Sequence, residues 1–264
     1  MWSPRRPTSP AHALVALVAL AAFCVAPAAG CRRHARGTVR IAAAADLGAA
    51  FEELGKKFTA HTGLKPVFTF GSSGLLAKQL AEGAPYQVFA AANQSYIDDL
   101  VAKGRCDGGT RRIYARGRLV VWSKWAAIDK LADLTAPAIQ KIAIANPEHA
   151  PYGVAAQQAL RASELWDQVQ GKMVYAENVR QAMQWAQDGQ ADAAIVAMSL
   201  AVVTEGGRSL VVNPALHAPL DQAIALCGDP RSETDGARFL DELASPEGRE
   251  LMERYGFILP PEQR

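Results

Sequence analysis

Four short stretches carry the residue types from which an anion site is built. They are Ala45-Asp46, Gly71-Ser72-Ser73-Gly74, Asn146 to Gly153 (NPEHAPYG), and Ala176-Glu177-Asn178-Val179. Each follows an apolar run with strand character and precedes a run with helical spacing. A helix N-terminus holds N–H groups that no intrahelical carbonyl accepts, together with a partial positive charge. Asp46 and Asn178 are N-cap residue types, and Pro151 suits a first helical position. One such turn only caps its helix. Four in order, two per half of the chain, predict helix starts that converge on a cleft and hold an oxyanion without Arg or Lys.

Residues for other chemistry are absent from the sequence. It has no G-x-G-x-x-G, P-loop, H-E-x-x-H, C-x-x-C or G-x-S-x-G. Beyond His12, the histidines His34, His61, His149 and His217 stand apart, and the acids form no metal-ligand cluster. Ser73 and His149 could be assembled in space as nucleophile and base, but unrelated roles are the stronger expectation. The chain therefore reads as a binding protein and not an enzyme. A purely structural role would leave the four turns without a purpose.

The elements that position these turns alternate. Strands are predicted at 38–45, 66–70, 86–91, 118–122, 141–145, 193–197 and 223–227. Helices are predicted after Asp46, ending at Gly63, and at 75–81, 96–102, 154–161, 179–187, 236–243 and 246–255. Such alternation implies an α/β fold with mainly parallel sheets. No long linker or fixed-period repeat interrupts it. Two similar halves predict two lobes, with a ligand between them outside the carboxyl ends of strands.

The chain has 264 residues, 28 Lys+Arg and 26 Asp+Glu, and half of it is hydrophobic. That supports a sizeable core and argues against disorder or a basic nucleic-acid face. Arg5 and Arg6 precede an apolar run from Ala13 to Ala26, followed by Pro27-Ala28-Ala29-Gly30 and Cys31. Residues 1–30 read as an export signal too short to span a membrane, and 31–37 as a tether. Without the signal, basic and acidic groups balance at 26 each. Gly30-Cys31 resembles a bacterial lipobox, with Ala28 where Leu is usual, so Cys31 is a candidate lipidation site; cleavage near Ala29 is the alternative. In an oxidising compartment, Cys106 and Cys227 are candidates for a disulfide, with two separate buried thiols as the alternative.

Several stretches together carry a specific resemblance. They are IAAAADL (41–47), FGSSG (70–74), GAPYQVF (83–89), AIANPEHAPYG (143–153), ENVRQA (177–182), SPEG (245–248) and YGF (255–257). In this order, across nearly all of residues 38–259, they resemble the molybdate-binding proteins of bacterial ABC importers, which are type II periplasmic binding proteins. The resemblance implies two α/β lobes joined by hinge strands, with residues 38–120 and 223–264 in one and 121–222 in the other. It implies a molybdate or tungstate ligand, no cofactor, an importer permease and its ATPase as partners, a monomer, and a periplasmic or cell-envelope location. Ser73 would donate its hydroxyl and backbone N–H. Tyr152 and Val179 would donate backbone N–H groups. Ala45 and Asp46 would form the first ligand turn, and Ser72 would stand beside Ser73.

Two positions depart from the pattern. Many relatives place a ligand-binding Tyr where this chain has Ala197, although another subgroup resembles Ala197-Met198-Ser199. Many place Ser or Asn where this chain has Asp46. A carboxylate facing a dianion is a like-charge contact that desolvation makes costly. Three readings stay open: Asp46 caps its own helix and offers the ligand only its N–H; Asp46 is protonated in the complex; or Asp46 accepts a hydrogen bond from a protonated ligand such as hydrogen phosphate or arsenate, the alternative function then being a receptor for another tetrahedral oxyanion (phosphate, arsenate or sulfate).

Overall fold

The computed structural model describes residues 37–228 and 233–261. The expected signal, Cys31 and most of the tether lie outside the described residues. Two five-stranded sheets organise the chain. The first contains β1 (Thr38–Ala44), β2 (Lys65–Gly71), β3 (Val88–Ala91), β4 (Arg112–Gly117) and β10 (Leu220–Leu226), in the order β2-β1-β3-β10-β4. The second contains β5 (Leu119–Ser123), β6 (Ile142–Ala145), β7 (Met173–Ala176), β8 (Ala193–Ala197) and β9 (Arg208–Val211), in the order β7-β6-β8-β5-β9.

Each sheet is a parallel trio with one reversed strand beside it. β1 pairs in parallel with β2 and β3, and β6 with β7 and β8. β10 runs antiparallel to β3 and β4, as β5 does to β8 and β9. The chain passes from the first sheet to the second at Arg118, and returns after Val212.

Helices cover the sheets: α1 (Gly48–Thr62), α2 (Ser73–Ala81), α3 (Gln94–Ala102), α4 (Pro151–Ala162), α5 (Trp166–Val169), α6 (Val179–Gln187), α7 (Met198–Ala201), α8 (Glu233–Ala244) and α9 (Pro246–Arg254). Strand alternation divides the first sheet's residues between two faces. Ile41, Ala43, Val88 and Ala90 join Phe51, Leu54, Phe58 and Phe239 of α1 and α8. Ala42, Phe89 and Ala91 pack instead with Leu76, Leu80, Ile97 and Leu100 of α2 and α3. Phe239 meets Phe51, Phe58 and Phe68 at centroid distances of 5.4–5.8 Å. Truncating a buried aromatic such as Phe51 costs about 3–5 kcal/mol. This packing fixes where α1 and α2 begin, and therefore where their N-termini point.

Cys106 and Cys227 are joined as a disulfide. It ties the segment after α3 to the end of β10. Among the described residues, no helix is long and apolar enough to cross a membrane.

Candidate functional site

Four strand-to-helix junctions meet at one small cavity. Ala45 and Asp46 follow β1, Ser72 and Ser73 follow β2, Pro151 and Tyr152 follow the loop after β6, and Asn178 and Val179 follow β7. All six expected ligand-binding residues, Ala45, Asp46, Ser72, Ser73, Tyr152 and Val179, line this cavity. Its volume of about 10 Å³ is room for about one water-sized group, too little for a sugar or peptide.

Local chemistry sets each junction. Asn178 caps α6, its side-chain oxygen accepting from Gln181 N–H at 3.0 Å. The Gln181 side chain returns a bond from Glu177 N–H at 2.8 Å. Pro151 occupies the first turn of α4, where a missing N–H costs nothing. Asn146 shapes the loop before it by accepting Glu148 N–H at 3.0 Å. Gly153 is required there, because a Cβ would stand 2.0 Å from the Ala145 carbonyl oxygen. Ser73, Tyr152 and Val179 fall in first turns, so their N–H groups have no acceptor within their own helices.

The two serines behave differently. Ser73 Oγ accepts Ala92 N–H at 3.0 Å, and its own O–H can then serve as a donor. Ser72 Oγ donates to the His149 carbonyl at 2.5 Å and takes a bond from His149 Nδ1–H at 2.8 Å. Gly74 N–H reaches the same carbonyl at 2.9 Å. His149 therefore engages Ser72 and not Ser73, and the serine proton goes to a carbonyl. No nucleophile–base pair of Ser73 and His149 is formed.

Asp46 departs from its expected capping role. α1 is preceded by a 3-10 turn over Ala45–Leu47, and its N-cap is Leu47, with no side-chain cap bond. The extra turn moves Asp46 back from the cap position and directs its carboxylate elsewhere. Oδ2 accepts from Tyr152 Oη–H at 3.1 Å and from Gln222 Nε2–H. Tyr114 holds that amide by donating to Gln222 Oε1 at 2.8 Å. Ser199 Oγ–H donates to the Asp46 main-chain carbonyl at 2.8 Å. Oδ1 is buried with no partner. Burial pushes the Asp46 carboxyl up from 3.8 to about 6, against the lowering effect of its hydrogen bonds. Burial and the nearby Asp46 also hold the Tyr114 and Tyr152 phenols well above their ordinary range.

Tyr114 and Gln222 had no sequence signal, and Ser199 stood only within the Ala197-Met198-Ser199 subgroup pattern, with no role assigned to it. They come from β4, β10 and α7, far apart along the chain; folding brings Gln222 and Ser199 onto Asp46 and Tyr114 onto Gln222. Ala197 stands at the end of β8 as a fully buried residue and offers no hydroxyl to the cavity.

Two α/β sheets whose helix starts converge on a small cleft of neutral donors define a solute-binding protein. The sequence pattern of the family described as Bacterial extracellular solute-binding protein matches residues 39–258, and the chain belongs to that family. Among its relatives is the molybdate-binding protein ModA of Rhodobacter capsulatus, 32% identical over 85% of this chain and 89% of that one. ModA of Escherichia coli is 31% identical over 84% of this chain and 90% of its own length. The solved periplasmic molybdate-binding protein of Azotobacter vinelandii superposes with a TM-score of 0.80 at 28% identity, covering 84% of this chain and 99% of that one.

Proposed function

We propose that the protein is an extracytoplasmic receptor that captures molybdate or tungstate and passes it to the permease and ATPase of an ABC importer. The observation that carries this reading is the cavity lining: helix starts from both sheets, Ser73 beside them, and no Lys or Arg among the lining residues. Neutral donors in a dry cleft make strong charge-assisted bonds to an oxyanion while leaving it free to depart. The names of the relatives support molybdate as the ligand.

In this reading Ala45, Asp46, Ser73, Tyr152 and Val179 offer backbone N–H groups, and Ser73 adds its hydroxyl. Ser72 holds the His149 loop in place and offers its own N–H. Each sheet with its helices acts as one lobe, the crossings falling at Arg118 and between Val212 and Leu220 and not at 120 and 222. The protein acts as a monomer without a cofactor, and its work is binding and delivery, with no bond made or broken. Residues 1–30 direct export, and Cys31 is the candidate for a lipid anchor in the cell envelope.

The test is a thermal shift of the purified protein with molybdate, tungstate, sulfate, phosphate and arsenate. A ligand bound only by the native state stabilises by RT ln(1 + [L]/Kd), about 4 kcal/mol at a thousandfold excess over Kd. The expected result is a large shift with molybdate and tungstate alone. A shift confined to phosphate, arsenate or sulfate overturns the ligand assignment and keeps the oxyanion site.

A further inference from the structure

We infer that Asp46 acts as a neutral acid in the complex: a proton taken from solvent enters with the oxyanion, stays on Oδ1, and makes a hydrogen bond to a ligand oxygen. This inference rests on the oxyanion-receptor reading above and deepens it into a proton-coupled site. In balanced form, carboxylate, proton and dianion combine to give the carboxylic acid hydrogen-bonded to the dianion. No covalent bond other than O–H forms, and the proton returns to water when the ligand leaves.

The geometry carries the argument. Asp46 lines the cavity and is 1% exposed. Its two oxygens are not equivalent. Oδ2 is held as an acceptor by Tyr152 Oη–H and Gln222 Nε2–H. Tyr114 Oη–H on Gln222 Oε1 keeps the amide turned so that its N–H faces Asp46. With Oδ2 so committed, the place for a proton is Oδ1, the buried oxygen without a partner. A buried carboxylate oxygen with no donor is costly, and it would be costlier beside an oxyanion. Protonation removes the like-charge contact and turns the same atom into a donor.

Among the described residues, the side chains hydrogen-bonded to Asp46 are all neutral. α4 presents Tyr152, β4 presents Tyr114, β10 presents Gln222, and α7 presents Ser199. Both phenols keep their protons, since burial and Asp46 raise them. Arg180 of α6 approaches the start of α1, its Nη1 3.2 Å from where a Cβ on Gly48 would stand. That residue is exposed, so its charge is screened by water. The ligand-free carboxyl, already raised to about 6, titrates close enough to neutrality for proton uptake to be affordable.

The experiment is isothermal titration of the protein with molybdate, from about pH 5 to about pH 8.5, in two buffers of different ionisation enthalpy, which counts protons. Below about pH 5.5 Asp46 is already neutral, so the count is near zero and affinity is flat. Above about pH 6.5 the count rises toward one proton per molybdate, and affinity falls about tenfold per pH unit, one proton's worth of linkage. Asp46→Asn, nearly isosteric and with an amide donor available to the ligand, is expected to bind with no proton uptake and no pH slope. Asp46→Ser serves as a second uncharged variant and should also lose the slope.

Molybdate binding by the wild type with no proton taken up at any pH overturns the inference and leaves the receptor reading standing. Equal proton uptake in Asp46→Asn also overturns it, because the proton then goes to another group. No molybdate binding at any pH, with another oxyanion bound instead, overturns the molybdate assignment and this inference with it.

Discussion

The main-chain carbonyl of His149 accepts a hydrogen bond from Gly74 N–H at 2.9 Å, joining the loop after β6 to the first turn of α2. The contact links the two sheets directly. Ser72 Oγ–H supports it at 2.5 Å, and Tyr96 Oη–H approaches the same oxygen at 3.4 Å. The His149 carbonyl thus occupies donors at one end of α2 while the cavity lies alongside.

Gly74 is glycine because of this approach. A Cβ there would stand 2.6 Å from the His149 carbonyl oxygen and 3.0 Å from its Cα, both backbone atoms that cannot swing aside. Gly74→Ala is expected to hold the two sheets apart and weaken oxyanion binding about tenfold or more, from an overpacking cost of roughly 1–3 kcal/mol. Titration calorimetry measures the loss, and small-angle scattering should show a more open particle.

Ser73→Ala separates ligand binding from folding. It leaves the Ala92 N–H, a buried donor, without its acceptor. Stability without ligand should fall by about 1–3 kcal/mol. The stabilisation contributed by molybdate should shrink as well, because the hydroxyl donor is gone. Urea unfolding with and without ligand measures both effects. A variant with native stability and native ligand shift would remove Ser73 from the site.

Asp46 should give the ligand-free protein an unusual pH profile. Its folded value of about 6 lies above the unfolded value of 3.8, so the native state binds more protons between them. Stability is greatest below about pH 4 as far as this group is concerned, and is lost as pH rises through about 6. The loss is on the order of 3 kcal/mol. Comparing the wild type with Asp46→Asn cancels the other carboxylates. The variant should gain on the wild type steadily from about pH 4 to about pH 6.5, read by urea midpoint.

Reduction should be costly. The Cys106–Cys227 bridge closes a sequence separation of 121 residues. Chain-entropy arguments put the stabilisation from so long a loop at about 4–5 kcal/mol as an upper figure. Dithiothreitol, or Cys106→Ser paired with Cys227→Ser, should lower the melting temperature markedly, with a two-proton mass change on reduction.

The sequence revealed the junctions better than the strands around them. β3, β6 and β8 are short apolar runs buried on both faces, as is β1 from Ile41 onward, and they read as strands without help. β4, β7 and β9 were not anticipated. All three are outer strands of their sheets, half-exposed and mixed in character, as in Arg208–Val211. The reversal of β10 and β5 was equally hidden, since direction follows from connections rather than local composition. In the site, helix-start chemistry showed Ser73, Pro151 and Asn178 plainly. The Asp46 carboxylate did not cap, because a 3-10 turn leaves it one residue before the cap and turned toward partners on β10 and α4. Residue types near it in sequence held no hint of Gln222 or Tyr114.

β10 lies between β3 and β4, although it follows β4 by about a hundred residues of chain. The first sheet therefore cannot close until residues Leu220–Leu226 are available, and until then β3 and β4 present open edges. Such long-range pairing makes folding slow and exposes the unfinished chain to association through those edges. The same strand delivers Gln222 to Asp46. Completion of the sheet and capture of the buried acid thus depend on one strand, and a chain truncated before β10 would have neither.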